Sequence, residues 1–248
     1  MLSKNEIKYI QSSGHKKTRD EDGVFIAEGT KIVNEVLTQC PQQLIKLYAR
    51  SSFFEEHGLK ADGEQYIEVT ETELERISLL QTPQQALALV RQFKPALITE
   101  LNEGWVLALD AIRDPGNMGT IIRIADWFGI SHIICSEDCV EMYNPKVVQA
   151  SMGGVLRVKC ITGDLKTLLP QCQQPVIAAT LHGKNINDFS FEKKGTLLIG
   201  NEARGVDASL LSLATHQVSI PSFGAAESLN AAVATGILVW EAVKGSIK

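Results

Sequence analysis

Leu109-Asp-Ala-Ile-Arg-Asp-Pro-Gly-Asn-Met-Gly-Thr-Ile-Ile-Arg123 begins where the apolar run Trp105 to Leu109 ends. The run reads as a buried strand. Asp114, Pro115, Gly116 and Asn117 make a turn, and a helix follows at once with Arg123 on its second turn. Glycine lets a ligand approach the backbone, and a helix start offers unpaired N–H groups. Strand–turn–helix corners are where open α/β sheets place their chemistry. Taken alone, the segment is read equally well as an ordinary turn followed by a packing glycine at Gly119.

Two later segments have the same build. Thr196-Leu-Leu-Ile-Gly-Asn-Glu-Ala-Arg-Gly-Val206 and Val218-Ser-Ile-Pro-Ser-Phe-Gly-Ala-Ala-Glu-Ser-Leu-Asn230 are short apolar strands that run into polar, glycine-containing loops ahead of helices. Around them the second half of the chain alternates. Strands are expected at Trp105–Leu109, His132–Cys135, Val155–Lys159, Val176–Thr180, Thr196–Ile199 and Gln217–Ile220. Helices are expected at Thr120–Phe128, Pro145–Ala150, Asp207–Leu213 and Ser228–Val243. That alternation predicts a mainly parallel sheet with helices on both faces. The last helix is apolar almost all round, so it is either a core helix or shared with a second subunit.

Residues 1–94 read as a smaller α/β unit. Helices are expected near Lys4–Ser13, Lys16–Asp20, Thr30–Leu37, Ser51–His57 and Leu74–Leu80, the last led by the capping-box pattern Thr70-Glu-Thr-Glu73. Strands are expected at Val24–Ala27, Leu44–Ala49, Tyr66–Val69 and Ala86–Val90. Residues 95–104 read as the linker, and 105–248 as the second domain.

The chain has 248 residues, 44% of them hydrophobic and 21% charged, as in ordinary globular proteins. No apolar run approaches the length of about 18–20 residues needed to span a bilayer, so a cytoplasmic protein is expected. The five cysteines include no C-x-x-C pair and the histidines are scattered, so neither a disulfide framework nor a metal site is expected. A net charge of −5 argues weakly against nucleic acid, but residues 1–20 hold five lysines and arginines against two acidic residues. Arg113, Arg123, Lys146, Arg157 and Arg204 would extend a basic surface; alternatively these are ordinary solvated side chains.

Asp114-Pro-Gly-Asn-Met-Gly-Thr-Ile-Ile-Arg123, Gly200-Asn-Glu-Ala-Arg-Gly205 and Ile220-Pro-Ser-Phe-Gly-Ala-Ala-Glu-Ser-Leu-Asn230 resemble, in order and spacing, motifs 1, 2 and 3 of the SpoU/TrmH RNA ribose 2′-O-methyltransferases of the SPOUT class. Asn5-x-x-Ile-Lys8, Lys16-Lys-x-Arg19 and Phe25-Ile-Ala-Glu-Gly29 resemble that family's N-terminal substrate-binding domain. The resemblance implies an α/β protein whose mainly parallel sheet ends in a C-terminal trefoil knot, preceded by a small α/β RNA-binding domain. It implies S-adenosylmethionine as cofactor, RNA as partner, ribosomal RNA ahead of transfer RNA, and a homodimer. A catalytically silent RNA-binding protein and an unrelated phosphate-binding α/β enzyme are the alternatives.

The resemblance also assigns residues. Asn117, Arg123, Glu202, Ser228 and Asn230 are the catalytic candidates. Thr180, Leu181, Gly200, Ile220 and Leu229 are those for the cofactor, and Lys16, Lys17, Arg19 and Arg113 those for RNA. Arginine stays protonated, so Arg123 is expected to grip a phosphate and polarise the 2′-hydroxyl rather than act as a base. Several have ordinary explanations: Asn117 as an N-cap, Glu202 in a salt bridge to Arg204, Ser228 as the cap of the last helix with Asn230 one turn in. Capping accounts for Ser228 and not for Asn230, which makes Asn230 the stronger candidate. The chain departs from the family pattern at Ala203, where glycine is common, and at Ser222-Phe223, where methionine is common.

Overall fold

The computed structural model describes residues 1–102 and 104–246. Glu103 of the expected linker, and Ile247 and Lys248 of the expected second domain, lie outside the described residues. The chain packs as two units: Met1–Phe93 with Glu141–Leu156, and Lys94–Val140 with Arg157–Lys248.

The first unit opens with α1 (Lys4–Ser12) and α2 (Lys16–Asp22), then β1 (Val24–Glu28), α3 (Thr30–Gln39), β2 (Leu44–Ala49), α4 (Ser51–Glu56), β3 (Tyr66–Glu68), α5 (Glu71–Ile77) and β4 (Ala86–Arg91). Its four-stranded sheet has the order β1-β4-β2-β3, antiparallel except between β2 and β3. Ile10, Val24, Ile26, Tyr48, Leu74 and Leu87 form one core cluster. Removing such apolar side chains from water contributes about 1.5–3 kcal/mol each. The capping box is present: Glu73 N–H donates to Thr70 Oγ1 at 3.2 Å, and Thr70 N–H donates to Glu73 Oε2 at 3.0 Å.

The second unit begins with β5 (Trp105–Leu109), α6 (Pro115–Trp127) and β6 (His132–Cys135). Residues 141–156, with α7 (Pro145–Ala150), then complete the first unit. There Arg19, 2% exposed, donates to Glu141 through Nε at 2.8 Å and Nη2 at 2.6 Å, and to Ser13 and Gly14 carbonyls through Nη1. Tyr143 stacks on Phe25 with ring centroids 4.8 Å apart. The second unit resumes with β7 (Lys159–Thr162), α8 (Leu165–Leu168), β8 (Val176–Asn185), β9 (Gly195–Ile199), α9 (Ala208–Leu211), β10 (His216–Ser219) and α10 (Ala231–Val243).

The second unit's sheet has six strands in the order β10-β8-β9-β5-β6-β7, and every neighbouring pair is parallel. β5 and β9, in mid-sheet, are buried along their whole length, the pattern of strands covered on both faces. Leu101, inside the stretch expected as linker, is fully buried in this unit's core with Val106, Ile134 and Leu198.

Two expected elements are corrected. No strand runs from Val155 to Lys159: residues Gly154–Leu156 form a 3-10 turn, and the strand starts at Lys159. Val155 and Val158 are both buried, but in different units, so their spacing imitates a strand. The last helix begins at Ala231, not Ser228, because Asn230 is its cap and accepts Ala232 N–H at 3.0 Å and Val233 N–H at 3.2 Å.

Candidate functional site

Asp114 caps α6 by accepting the Asn117 N–H at 2.8 Å, and Pro115 occupies the first helical position, where it lacks nothing. Asn117 is therefore not the cap, and its side chain points sideways out of the first turn. It meets the ends of two other strand–loop segments. Asn117 Nδ2 donates to Glu202, just past β9, and Asn230 Nδ2, at the start of α10, donates to Asn117 Oδ1 at 2.8 Å.

Chemistry fixes the polarity of this chain. An ionised carboxylate only accepts, so the amide nitrogen of Asn117 faces Glu202. Its oxygen then faces a donor, which Asn230 supplies because the Asn230 oxygen is already taken by two helix N–H groups. Three of the five catalytic candidates are thus brought together. Arg123, on the same helix as Asn117, is exposed and makes no hydrogen bond or ion pair to a described residue. Ser228 is exposed in the loop and caps nothing.

The loop that carries Glu202 is tightly closed. Asn201 and Gly205 exchange backbone hydrogen bonds at 3.1 and 2.8 Å, and Gly205 has φ +69°. A Cβ on Gly200 would lie 2.2 Å from the Gly205 carbonyl carbon, so only glycine fits there. Asn201, which sequence reasoning passed over, accepts Ala203 and Arg204 N–H groups and donates to the Ala111 carbonyl at 3.0 Å.

β8 is the irregular strand of the sheet. β10 pairs its Gln217 with Ala178, but its next residue, Val218, pairs with Lys184. Residues 179–183 therefore bow out of that ladder. The return is so close that a Cβ on Gly183 would lie 2.5 Å from Val218 N. Thr180 and Leu181 sit on this bow. Leu181 is 68% exposed, and Thr180 Oγ1 is buried with no hydrogen-bond partner among the described residues. An orphaned buried hydroxyl is costly unless something pairs with it. Ile220 and Leu229 lie at the two ends of the β10–α10 loop; Leu229 is 45% exposed and outside the helix. An orphaned hydroxyl next to exposed aliphatic side chains suits a ligand that has both apolar and polar groups.

A separate cavity of about 670 Å³ opens beside the same loop and is lined by Asp110, Ser136, Asp164, Lys166, Arg204 and Asp207 among others. None of the expected cofactor residues lines it, and its polar wall suits water better than an apolar ligand. Close by, Cys135 donates its thiol to Cys139 and holds the Cys139 thiol down to about 7.

The expected RNA contacts divide. Lys16 and Lys17 are exposed and bear only long (i, i+4) pairs to Asp20 and Glu21 at 3.8 Å, which hold them weakly. Arg113, in the second unit, is 61% exposed and 3.4 Å from Asp138. Arg19 is corrected: buried and fully engaged with Glu141 and two carbonyls, it is a structural clasp that a phosphate does not reach. Arg157 is held by Asp126 at 2.8 Å. No His, Cys, Asp or Glu group among the described residues has the makings of a metal site, and no described helix is long and apolar enough to cross a membrane.

Residues 104–240 match the model described as the SpoU rRNA Methylase family, and residues 4–88 match the MRM3-like substrate binding domain. The chain is 30% identical over 235 residues to the 23S rRNA (guanosine(2553)-2'-O)-methyltransferase RlmP of Bacillus subtilis, which covers 91% of this chain and 90% of the relative. It is similar to an AdoMet-bound rRNA methyltransferase structure from Sinorhizobium meliloti, with a TM-score of 0.87 and 31% identity over 100% of this chain and 97% of the other. A TrmH-family structure from Porphyromonas gingivalis gives a TM-score of 0.84 and 32% identity over 98% of each chain.

Proposed function

Because this chain belongs to the SpoU rRNA methylase family, we propose that it transfers a methyl group from S-adenosylmethionine to a ribose 2′-hydroxyl of ribosomal RNA. The observation that carries the reading is the hydrogen-bonded chain Asn230–Asn117–Glu202, which ties three separate strand ends to one point. S-adenosylmethionine, when bound, supplies an electrophilic methyl group on a sulfonium. Gly200, Ile220 and Leu229 would hold it by backbone and apolar contact, with Leu181 against it and the Thr180 hydroxyl gaining the partner it lacks.

A ribose hydroxyl is a poor nucleophile while it keeps its proton, so the protein must orient it and ease that proton's departure. Arg123 stands free to grip an RNA phosphate and to polarise the hydroxyl, which lowers the cost of developing negative charge on oxygen. The Glu202 carboxylate holds the Asn117 amide in one orientation, so the first turn of α6 presents a fixed polar edge to the ribose.

Residues 1–94 are read as the substrate-binding domain. Lys16 and Lys17 would meet phosphates of a structured RNA element, recognised mainly through its shape. The sheet order places β10 beside β8, on the far side from β9, and Gly183 passes hard against Val218; both support a C-terminal trefoil knot, a topology that proteins otherwise avoid. Trp127 is 82% exposed, and Trp240 and Val233, on the packed partner α10, are 47% and 52% exposed. Apolar surface of this kind marks an interface, here that of a cytoplasmic homodimer.

The test is methyl transfer from labelled S-adenosylmethionine to ribosomal and transfer RNA from a strain that lacks the gene. Ribose methylation of ribosomal RNA, mapped to one nucleotide, is expected. Label in transfer RNA alone moves the substrate, and the absence of label in either leaves an RNA-binding protein without activity.

A further inference from the structure

The corner between β5 and α6 is held in an unfavourable shape, by residues to which the methyl-transfer reading gives no role. Ala111 has φ 55°, in the left-handed region where a residue with a Cβ is strained by about 1–2 kcal/mol. It is 3% exposed, so water does not satisfy its backbone. Its two polar groups are met by side chains instead. Ala111 N–H donates to Ser136 Oγ at 2.9 Å, and its carbonyl accepts from Asn201 Nδ2 at 3.0 Å. Ile112, next along, is tied by its N–H to Cys139 Sγ at 3.3 Å and by its carbonyl to Val140 N–H at 2.9 Å. Two residues later Asp114 starts α6, so the direction of that helix, and with it the placement of Asn117 and Arg123, follows from this corner.

Asn201 uses both ends of its amide in the process. Its oxygen closes the loop that carries Glu202, through Ala203 and Arg204 N–H at 3.0 and 3.3 Å, and its nitrogen holds Ala111. The loop past β9 thus reaches α6 by two routes. One is the direct Glu202–Asn117 bond. The other runs through Asn201 to the backbone that precedes the helix. We propose that Asn201 is a positioning residue for methyl transfer: it keeps Ala111 left-handed and thereby sets Asn117 and Arg123 against the acceptor ribose. The inference rests on the methyl-transfer reading given above.

Asn201→Asp isolates the contact. Aspartate has the same shape and keeps the oxygen that closes the loop, but it cannot donate to Ala111 and sets a carboxylate oxygen against that carbonyl. With unmodified ribosomal RNA as substrate, kcat is expected to fall about tenfold, the scale of one lost buried hydrogen bond. The Kd for S-adenosylmethionine is expected to stay within about twofold, because the cofactor residues are untouched. Adding Ala111→Gly, which removes the Cβ penalty of the left-handed corner so that it no longer needs the lost hydrogen bond to hold it, is expected to recover most of the lost kcat. A wild-type kcat in Asn201→Asp overturns the proposal. So does a loss that Ala111→Gly leaves unrepaired, or one matched by an equal loss of cofactor affinity. Wild-type protein without activity on any RNA overturns the methyl-transfer reading instead, and the two failures are distinct.

Discussion

The amide of Asn117 has no freedom to rotate. A carboxylate on one side and a donor on the other define which end is nitrogen, and the Asn230 donor is itself defined by two N–H groups of α10. Asn230 therefore has two tasks that one substitution separates. Asn230→Asp keeps the oxygen that caps the helix but loses the N–H that reaches Asn117. Its melting temperature is expected to match wild type, since aspartate is as good a cap as asparagine. Its turnover should fall about tenfold, and unchanged initial rates would detach Asn230 from the site. Arg123 has the opposite character, exposed and without a partner among the described residues. Arg123→Ala should leave stability within about 0.5 kcal/mol and lower turnover about 100-fold, with cofactor affinity by calorimetry unchanged. The meeting of Asn117, Glu202 and Asn230 was legible in the sequence, because all three sit in motifs with glycines around them. Side chains whose partners are a backbone group or a carboxylate that no motif marks were not. Asn201 holds Ala111 across ninety residues, and Arg19 reads as one more cation of a lysine-rich segment, although Glu141 pairs with it from 122 residues on.

At the level of elements, helix starts were the most readable feature. The pattern at Thr70–Glu73 predicts a capping box, and both of its hydrogen bonds are present. The Glu73 carboxyl lies below its ordinary value of 4.5 because the Thr70 and Leu2 N–H groups donate to it. A depressed folded-state value stabilises the fold above the unfolded value, and that stabilisation is lost as the pH falls below 4.5 and through the lower folded one. The Thr70 hydroxyl also donates to that carboxylate at 3.0 Å, so Thr70→Ala should cost about 1 kcal/mol at pH 7, and the gap to wild type should narrow at pH 3 in urea unfolding. A gap that is the same at both pH values would mean that the carboxylate takes no part. Strands misled in two places, and for different reasons. The Val155 to Lys159 stretch carries two buried valines that belong to separate units. β8 extends to Asn185, past the expected end at Thr180, because its second half pairs with β10 after a five-residue bow. That pairing depends on a strand more than thirty residues downstream, which local alternation does not encode.

For the whole molecule, the outer side of α10 is left bare. Ala232, Thr235, Leu238, Val239 and Ala242 are buried within the chain, yet Val233 and Trp240 are not. If the α6–α10 face joins two copies, Trp127→Lys should convert a dimer into a monomer in sedimentation at micromolar concentration. Wild-type protein that sediments as a monomer there would refute the dimer. The fold class was readable from alternation alone; the division of the chain was less so, since residues 141–156 lie in the sequence between two strands of one sheet and pack with the other unit.

That arrangement limits what can be cut from this protein. A fragment that stops after Phe93 looks self-sufficient, with its own sheet and its own apolar centre, yet it would leave behind the carboxylate that neutralises Arg19. A guanidinium sealed away from water without its counter-ion destabilises by about 3–5 kcal/mol, much of what a small domain has to spare. The front half is thus not a cassette to be transplanted onto another enzyme as a guide to RNA. Grafted alone it should emerge insoluble or half-melted, and supplying residues 141–156 as a synthetic peptide in trans should rescue it.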